Sequence, residues 1–236
     1  MCNLYRSVPA PDLVAGFSLR AMTATPYAET IAPLKPGPYV KAGGIGEVGQ
    51  WGMIPPGCPT RMPMARGRRL STNNCRRETM ATAWTFGKAW AKGQRCLIPA
   101  QSFDEPWWGT GRNIWWRFWR ADGEPWALAG LWSEWTDPQT GEVVPNYTML
   151  TQNCDGHPVL GLMHKPDPKL PADRQDKRSV VPIERADWDA WLHGTPAQAL
   201  TLIRTPPVET LRHAAADPAL AGTPLNEPHE SHESKP

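Results

Sequence analysis

Arg95-Cys96-Leu97-Ile98-Pro99-Ala100-Gln101-Ser102-Phe103-Asp104-Glu105 is the stretch around which the rest of the chain arranges itself. Arg95–Pro99 has the pattern of a short buried strand, and a carboxylate, Glu105, stands just past it. Similar short segments follow: residues 113–120, 126–132, 147–152 and 179–183 are rich in aromatic and branched residues and are punctuated by Gly123 and Thr140-Gly141. Upstream, Pro36-Gly37-Pro38 predicts a turn into a strand at Tyr39-Val40-Lys41. Trp51-Gly52-Met53-Ile54 reads as a strand ended by Pro55-Pro56, and residues 55–72 read as a long basic loop. Met80, Ala83, Trp84, Gly87 and Trp90 recur at three- and four-residue spacing and predict an amphipathic helix from Glu78 to about Lys92. Glu184–Leu192 predicts a second short helix, stopped by Gly194. Many short strands with few helices imply an α+β fold, a single domain on a curled, mostly antiparallel, barrel-like sheet. That domain is expected over residues 1–204. Residues 205–236, rich in Pro, Ala, Glu and His without periodicity, read as a mobile acidic tail.

Composition narrows the class. The chain has 236 residues and its Pro and Gly together make up about a fifth of it, below the roughly 25–30% of a low-complexity disordered chain. No apolar run approaches the roughly 18 residues of a membrane span, and Met1–Asp12 lacks the basic-then-apolar pattern of a secretory signal. The five cysteines, Cys2, Cys58, Cys75, Cys96 and Cys154, are odd in number and form no CxxC pair. This argues against a disulfide framework or a zinc site, and for a reducing cytosol. The net charge of +2 hides a stretch from Val48 to Arg77 with six arginines and no acid, a local field that attracts polyanions.

Of thirteen tryptophans, eight lie between Trp107 and Trp135. Indoles fill the core of pleated sheets and also stack on unpaired bases. In an extended chain Trp107-Trp108 and Trp115-Trp116 cannot both point inward, so one of each pair is expected at the surface. Cys2 carries the most chemical information. Removal of the initiator methionine would place an α-amine, with reference pKa near 8, beside a thiol near 8.5. Such a 1,2-aminothiol condenses with aldehydes to a thiazolidine. An accidental cysteine in a frayed terminus is the bland alternative.

Met1-Cys2, Trp51-Gly52-Met53-Ile54-Pro55, Asn74-Cys75-Arg76-Arg77-Glu78-Thr79, Arg95–Ala100 with Ser102-Phe103-Asp104-Glu105, Ala129-Gly130-Leu131-Trp132, Tyr147–Thr151, and a histidine motif split between His164 and Lys177–Val181 follow one another along the chain. In that order they resemble the SOS response associated peptidase (SRAP) family. The resemblance implies a protein that senses abasic sites in single-stranded DNA and bonds to them through Cys2 after Met1 is removed, with no cofactor or metal. Its catalytic residues would be Cys2, Asn74, Glu105 and His164. Arg76, Arg77, Arg178, Pro36, Trp107 and Thr151 would contact DNA. A monomer without membrane attachment is expected, cytoplasmic and nucleoid-associated during DNA damage. The chain departs from the pattern where Gly57-Cys58-Pro59 and Pro106 stand in place of usual tryptophans, so a base-stacking group must come from elsewhere, Trp107 or Trp108 being the candidates by sequence. Two other readings fit the same residues. One is an N-terminal-cysteine or Cys-His-Asn hydrolase acting on peptides or amides, and the other is a non-enzymatic single-strand-binding module.

Overall fold

The computed structural model describes residues 2–222. Fourteen strands run through these residues: β1 (Leu4–Ser7), β2 (Ala21–Met22), β3 (Thr30–Ile31), β4 (Pro36–Lys41), β5 (Ile45–Trp51), β6 (Met64–Ala65) and β7 (Arg68–Arg69) in the first third. There follow β8 (Asn74–Arg76), β9 (Arg95–Trp107), β10 (Ile114–Arg120), β11 (Trp126–Thr136), β12 (Val143–Asn153), β13 (Arg178–Val180) and β14 (Leu211–Ala215). Strands β11, β12, β5, β4 and β9 pair in that order, and β9 also pairs with β11, which closes a five-stranded barrel. Only β12 and β5 run parallel in that ring. The α+β, barrel-like single domain read from the sequence is therefore the fold.

Strand β9 belongs to two sheets at once. Its first half pairs with β4 and β11 inside the barrel. Its second half pairs with β1 and β10 and carries an outer sheet of β3, β1, β9, β10 and β14. Pro99 sits where the neighbour on one side changes, since β4 pairs only as far as Leu97 and β1 begins at Ala100. A residue with no N–H to donate is tolerated at such a gap. The strand therefore does not end at Pro99, as the sequence suggests, and Glu105 lies within it.

A bulge sets the phase of the second half. Arg6 pairs with Ser102 and Ser7 with Ala100, so Gln101 has no partner in β1 and is exposed. Before it, Cys96, Ile98 and Ala100 face the core, each fully buried. Continued alternation would turn residues 102 and 104 inward. The extra residue shifts the phase by one, and Phe103, Glu105 and Trp107 point inward instead, all at most 2% exposed. Inside the barrel Tyr5 and Tyr147 share a hydroxyl–hydroxyl hydrogen bond of 2.5 Å, and a Cβ at Gly37 would collide with both hydroxyls.

Four local expectations need correction. Residues 78–86 form consecutive turns, and only α1 (Gly87–Ala91) is helical there. Thr79, Thr82 and Thr85 interrupt the run with β-branched residues, and the Thr82 hydroxyl bonds back to Thr79 O at 3.4 Å. The strand expected over Trp51–Ile54 lies earlier, as β5, because Gly52 takes φ 146° and breaks it. The basic loop contains a small hairpin, β6–β7. The tail expected from residue 205 is in part a structural element: β14 pairs with β10, and Leu211 and Ala215 are buried in the core shared with Trp116. The rest of that expectation, residues 223–236, lies outside the described residues. Among the described residues no helix is long and apolar enough to cross a membrane.

Candidate active site

Cys2 precedes β1 and is fully buried. Its carbonyl oxygen accepts from Asn74 Nδ2 at 2.7 Å and Asn73 Nδ2 at 3.3 Å. Asn73 also donates to Asn3 Oδ1 at 3.0 Å, and its own carbonyl accepts from Trp51 Nε1 at 2.9 Å. Strand β8 carries Asn74 and lies parallel to β12, with Asn74 opposite Met149. Two amides anchored to the barrel thus hold the peptide unit after Cys2, which fixes where its amine and thiol point. The resemblance names Asn74 as a catalytic residue, and the structure places its amide on the Cys2 carbonyl; Asn73 is an addition, hidden because an amide next to another amide carries no separate signal.

The phase shift at Gln101 delivers Glu105 to the same interior. Burial raises its carboxyl to about 7. Burial first, and the nearby Glu105 second, raise the Cys2 thiol well above its usual range. His164 Nε2 lies 3.3 Å from Glu105 Oε2 and 3.4 Å from the Arg178 carbonyl. A carbonyl can only accept, so the imidazole carries its proton on Nε2. Burial lowers the imidazole to about 3, and near neutral pH the pair is a neutral histidine beside a carboxyl poised between its two forms. That is the range in which a general acid–base works best.

The backbone at His164 is strained, with φ 65°, a region costly for a side chain of this kind. Two bonds hold it there: its N–H donates to Pro106 O at 2.5 Å, and its carbonyl accepts from Lys177 Nζ at 2.6 Å. Before it, His157 Nδ1 accepts from the N–H groups of Val159 and Leu160, capping the turn that leads to His164. The twelve-residue insertion between His164 and Lys177 is thus bridged by Lys177 itself, a role the sequence does not signal.

The residues expected to meet DNA are placed unevenly. Pro36 and Arg77 are exposed, and Arg77 has no ion pair among the described residues. Arg76 pairs with Asp176 at 3.0 Å. Arg178 is 7% exposed and pairs with Glu78 at 2.7 Å and with Asp176. An incoming phosphate meets these two arginines already held by carboxylates. Thr151 is fully buried, opposite Arg76 and Val180, with its hydroxyl unpartnered in the structure. Trp107 does not supply a surface stacking group. It is 2% exposed, edge-on to Trp116 at 5.1 Å, and bridged to Met163. The bulge decides this, because it turns residue 107 inward. Trp108 is half-buried under Lys165, 5.1 Å from the ring. Trp115, the partner of buried Trp116, is at the surface as the alternation requires.

The family model for SOS response associated peptidase (SRAP) matches residues 3–220. A crystal structure of a protein from Bordetella bronchiseptica is 31% identical, with a TM-score of 0.80, over 92% of this chain and all of that one. A protein from Bacteroides thetaiotaomicron has a TM-score of 0.75 at 15% identity, over 96% of this chain and 97% of its own. A phage-related protein from Bordetella bronchiseptica reaches 0.62 at 15% identity, covering 91% and 93%. These last two share the fold. No curated protein matches the chain.

Proposed function

This chain belongs to the SOS response associated peptidase family, and from that premise we propose that it captures abasic sites in single-stranded DNA through a covalent bond to Cys2. Membership brings a DNA-damage function tied to the SOS response and a peptidase-like activity. The finer reading is supported above all by one observation: Asn73 and Asn74 grip the Cys2 carbonyl in the same buried interior as Glu105, whose carboxyl burial raises to about 7.

Hydrolysis of the Met1–Cys2 peptide bond puts hydroxyl on the methionine carbonyl and hydrogen on the new Cys2 amine. The open form of an abasic sugar presents an aldehyde, and opening requires proton transfer at the ring oxygen, which His164 with Glu105 can relay. The amine adds to the aldehyde carbon and its proton passes to the oxygen, giving a carbinolamine. Glu105 in its acid form protonates the hydroxyl, water leaves, and the resulting carboxylate takes the proton from the nitrogen, giving an imine and restoring the acid. The thiol adds across that double bond, sulfur to carbon and proton to nitrogen, closing a thiazolidine ring. Aldehyde and aminothiol thus yield ring and water with no change of oxidation state. Arg76, Arg77 and Arg178 would position the flanking phosphates without reading sequence, and one monomer would suffice for one lesion.

The test is incubation of untagged protein with an abasic single-stranded oligonucleotide, followed by a denaturing gel and intact mass. A shifted band that requires Cys2 and loss of Met1 is expected. Equal crosslinking by Cys2→Ala, or by a form that retains Met1, would overturn the thiazolidine chemistry.

A further inference from the structure

Strand β10 alternates sharply: Ile114, Trp116 and Phe118 are at most 3% exposed, whereas Trp115 and Trp119 are 41% and 37% exposed. The outward face of the sheet therefore carries two bare indoles on either side of Arg117. They stand about 13 Å apart along the strand. Arg117 is held flat by two 2.8 Å bonds to Asp104. Across from Trp119 in β14 is Arg212, exposed and without a carboxylate partner among the described residues. Trp115 is paired in register with Pro106, and Pro106 O in turn receives the N–H of His164. The face thus begins one residue from Glu105 along β9, at the backbone contact with His164.

Two exposed indoles on one face of the strand offer planar apolar surface that a ligand can cover. Indole faces alternating with fixed and free guanidinium groups suit flat anionic polymers: bases stack on the rings while the arginines follow the backbone. An apolar protein partner fits less well, because Arg117 and Arg212 stand between and beside the rings.

We propose that the face formed by Trp115, Arg117, Trp119 and Arg212 is a stacking platform for the single strand flanking the lesion, with Trp115 holding the base nearest Cys2. The choice of ligand rests on the function proposed above. The site itself is distinct from the crosslinking residues: Glu105 points to the inward side of the sheet, and Cys2, Asn74 and His164 belong to other segments. Trp115 stands in register beside Pro106, which has no aromatic ring to offer.

Two probes separate this assignment from the crosslinking chemistry. One is a single-stranded oligonucleotide with a tetrahydrofuran spacer, which has no aldehyde and reports noncovalent affinity. The other is the same strand with a true abasic site, which reports the adduct. Trp115→Ala and Trp119→Ala should each weaken affinity for the spacer strand about fivefold or more. Trp115→Phe should keep most of it, and Arg212→Ala should lower the salt slope by about 0.7. At saturating abasic DNA all four variants should still reach the wild-type adduct yield, which also shows that they are folded. Unchanged spacer affinity in both alanine variants overturns the platform while leaving the crosslink intact. A wild-type protein that forms no adduct sinks the function, and the platform is then decided by the spacer strand alone. Sedimentation showing a dimer that Trp115→Ala dissociates would make the face a self-interface and overturn the assignment.

Discussion

The two halves of β9 share one strand and nearly equal burial, yet they bury different chemistry. Cys96, Ile98 and Ala100 fill the barrel with apolar atoms. Phe103, Glu105 and Trp107 do the same for the outer sheet except that the middle residue is a carboxyl. In the first half burial is favourable at every position, about 25 cal/mol for each Å² of apolar surface. In the second half it imposes a cost, which appears as the raised pKa of Glu105. One unpaired residue, Gln101, separates the two regimes. At the expense of one unpaired residue in the ladder, a strand that leaves the barrel thus carries an acid on the inward face of the outer sheet.

Removing Gln101 together with Ser102 attacks that comparison most directly. Alternation from Ala100 then runs straight into Phe103, so Phe103 and Glu105 turn out, Asp104 turns inward, and the Asp104–Arg117 pair is lost. Crosslinking should vanish and stability should fall by more than about 4 kcal/mol, the range of severe core lesions. Gln101→Ala, which keeps the extra residue, should change neither. A deletion variant that melts and crosslinks like wild type would show that the bulge does not set the phase.

Ile98→Ala probes the apolar half and should cost about 2–5 kcal/mol through lost contacts and a cavity. Because no titrating group is involved, denaturant unfolding should report the same loss at pH 5 and pH 8. Glu105→Gln is the counterpart in the polar half. A carboxyl whose folded pKa is raised, here from 4.5 to about 7, favours folding below pH 4.5 and loses that contribution as pH rises through 7. The glutamine variant should therefore match wild type near pH 4.5 and exceed it at pH 8, by on the order of 2–3 kcal/mol. Its crosslinking should be slowed about 10²-fold or more, without the alkaline decline near pH 7 expected of wild type. Equal stability at pH 8 would mean that Glu105 is ionised without cost.

Arg76→Ala should have the smallest effect. Its ion pair with Asp176 is exposed, about 46% and 40% on the two side chains, and such pairs contribute about 0–1 kcal/mol. Thermal melting should barely move, while the salt slope of single-strand binding should fall by about 0.7.

Sequence alone determined what depends on neighbours in the chain. Alternation and turn residues mark the strands expected at 39–41, 113–120 and 126–132, of which the first begins earlier, at Pro36. The resemblance of its segments to the SRAP family names Cys2, Asn74, Glu105 and His164 as the candidate site. Trp115 and Trp116 divide between surface and core because adjacent residues of a strand must. What the sequence could not decide depends on partners far along the chain. Pro99 reads as a strand end until β4 and β1 are seen to meet on either side of it. Leu211–Ala215 has no pattern strong enough to mark a strand, and becomes one because β10 offers an open edge and Trp116 needs cover. Asp176 and Glu78 reach Arg178 from distant segments. The inward turn of Glu105 follows from a register mismatch between β1 and β9, a quantity that exists only when two strands lie side by side.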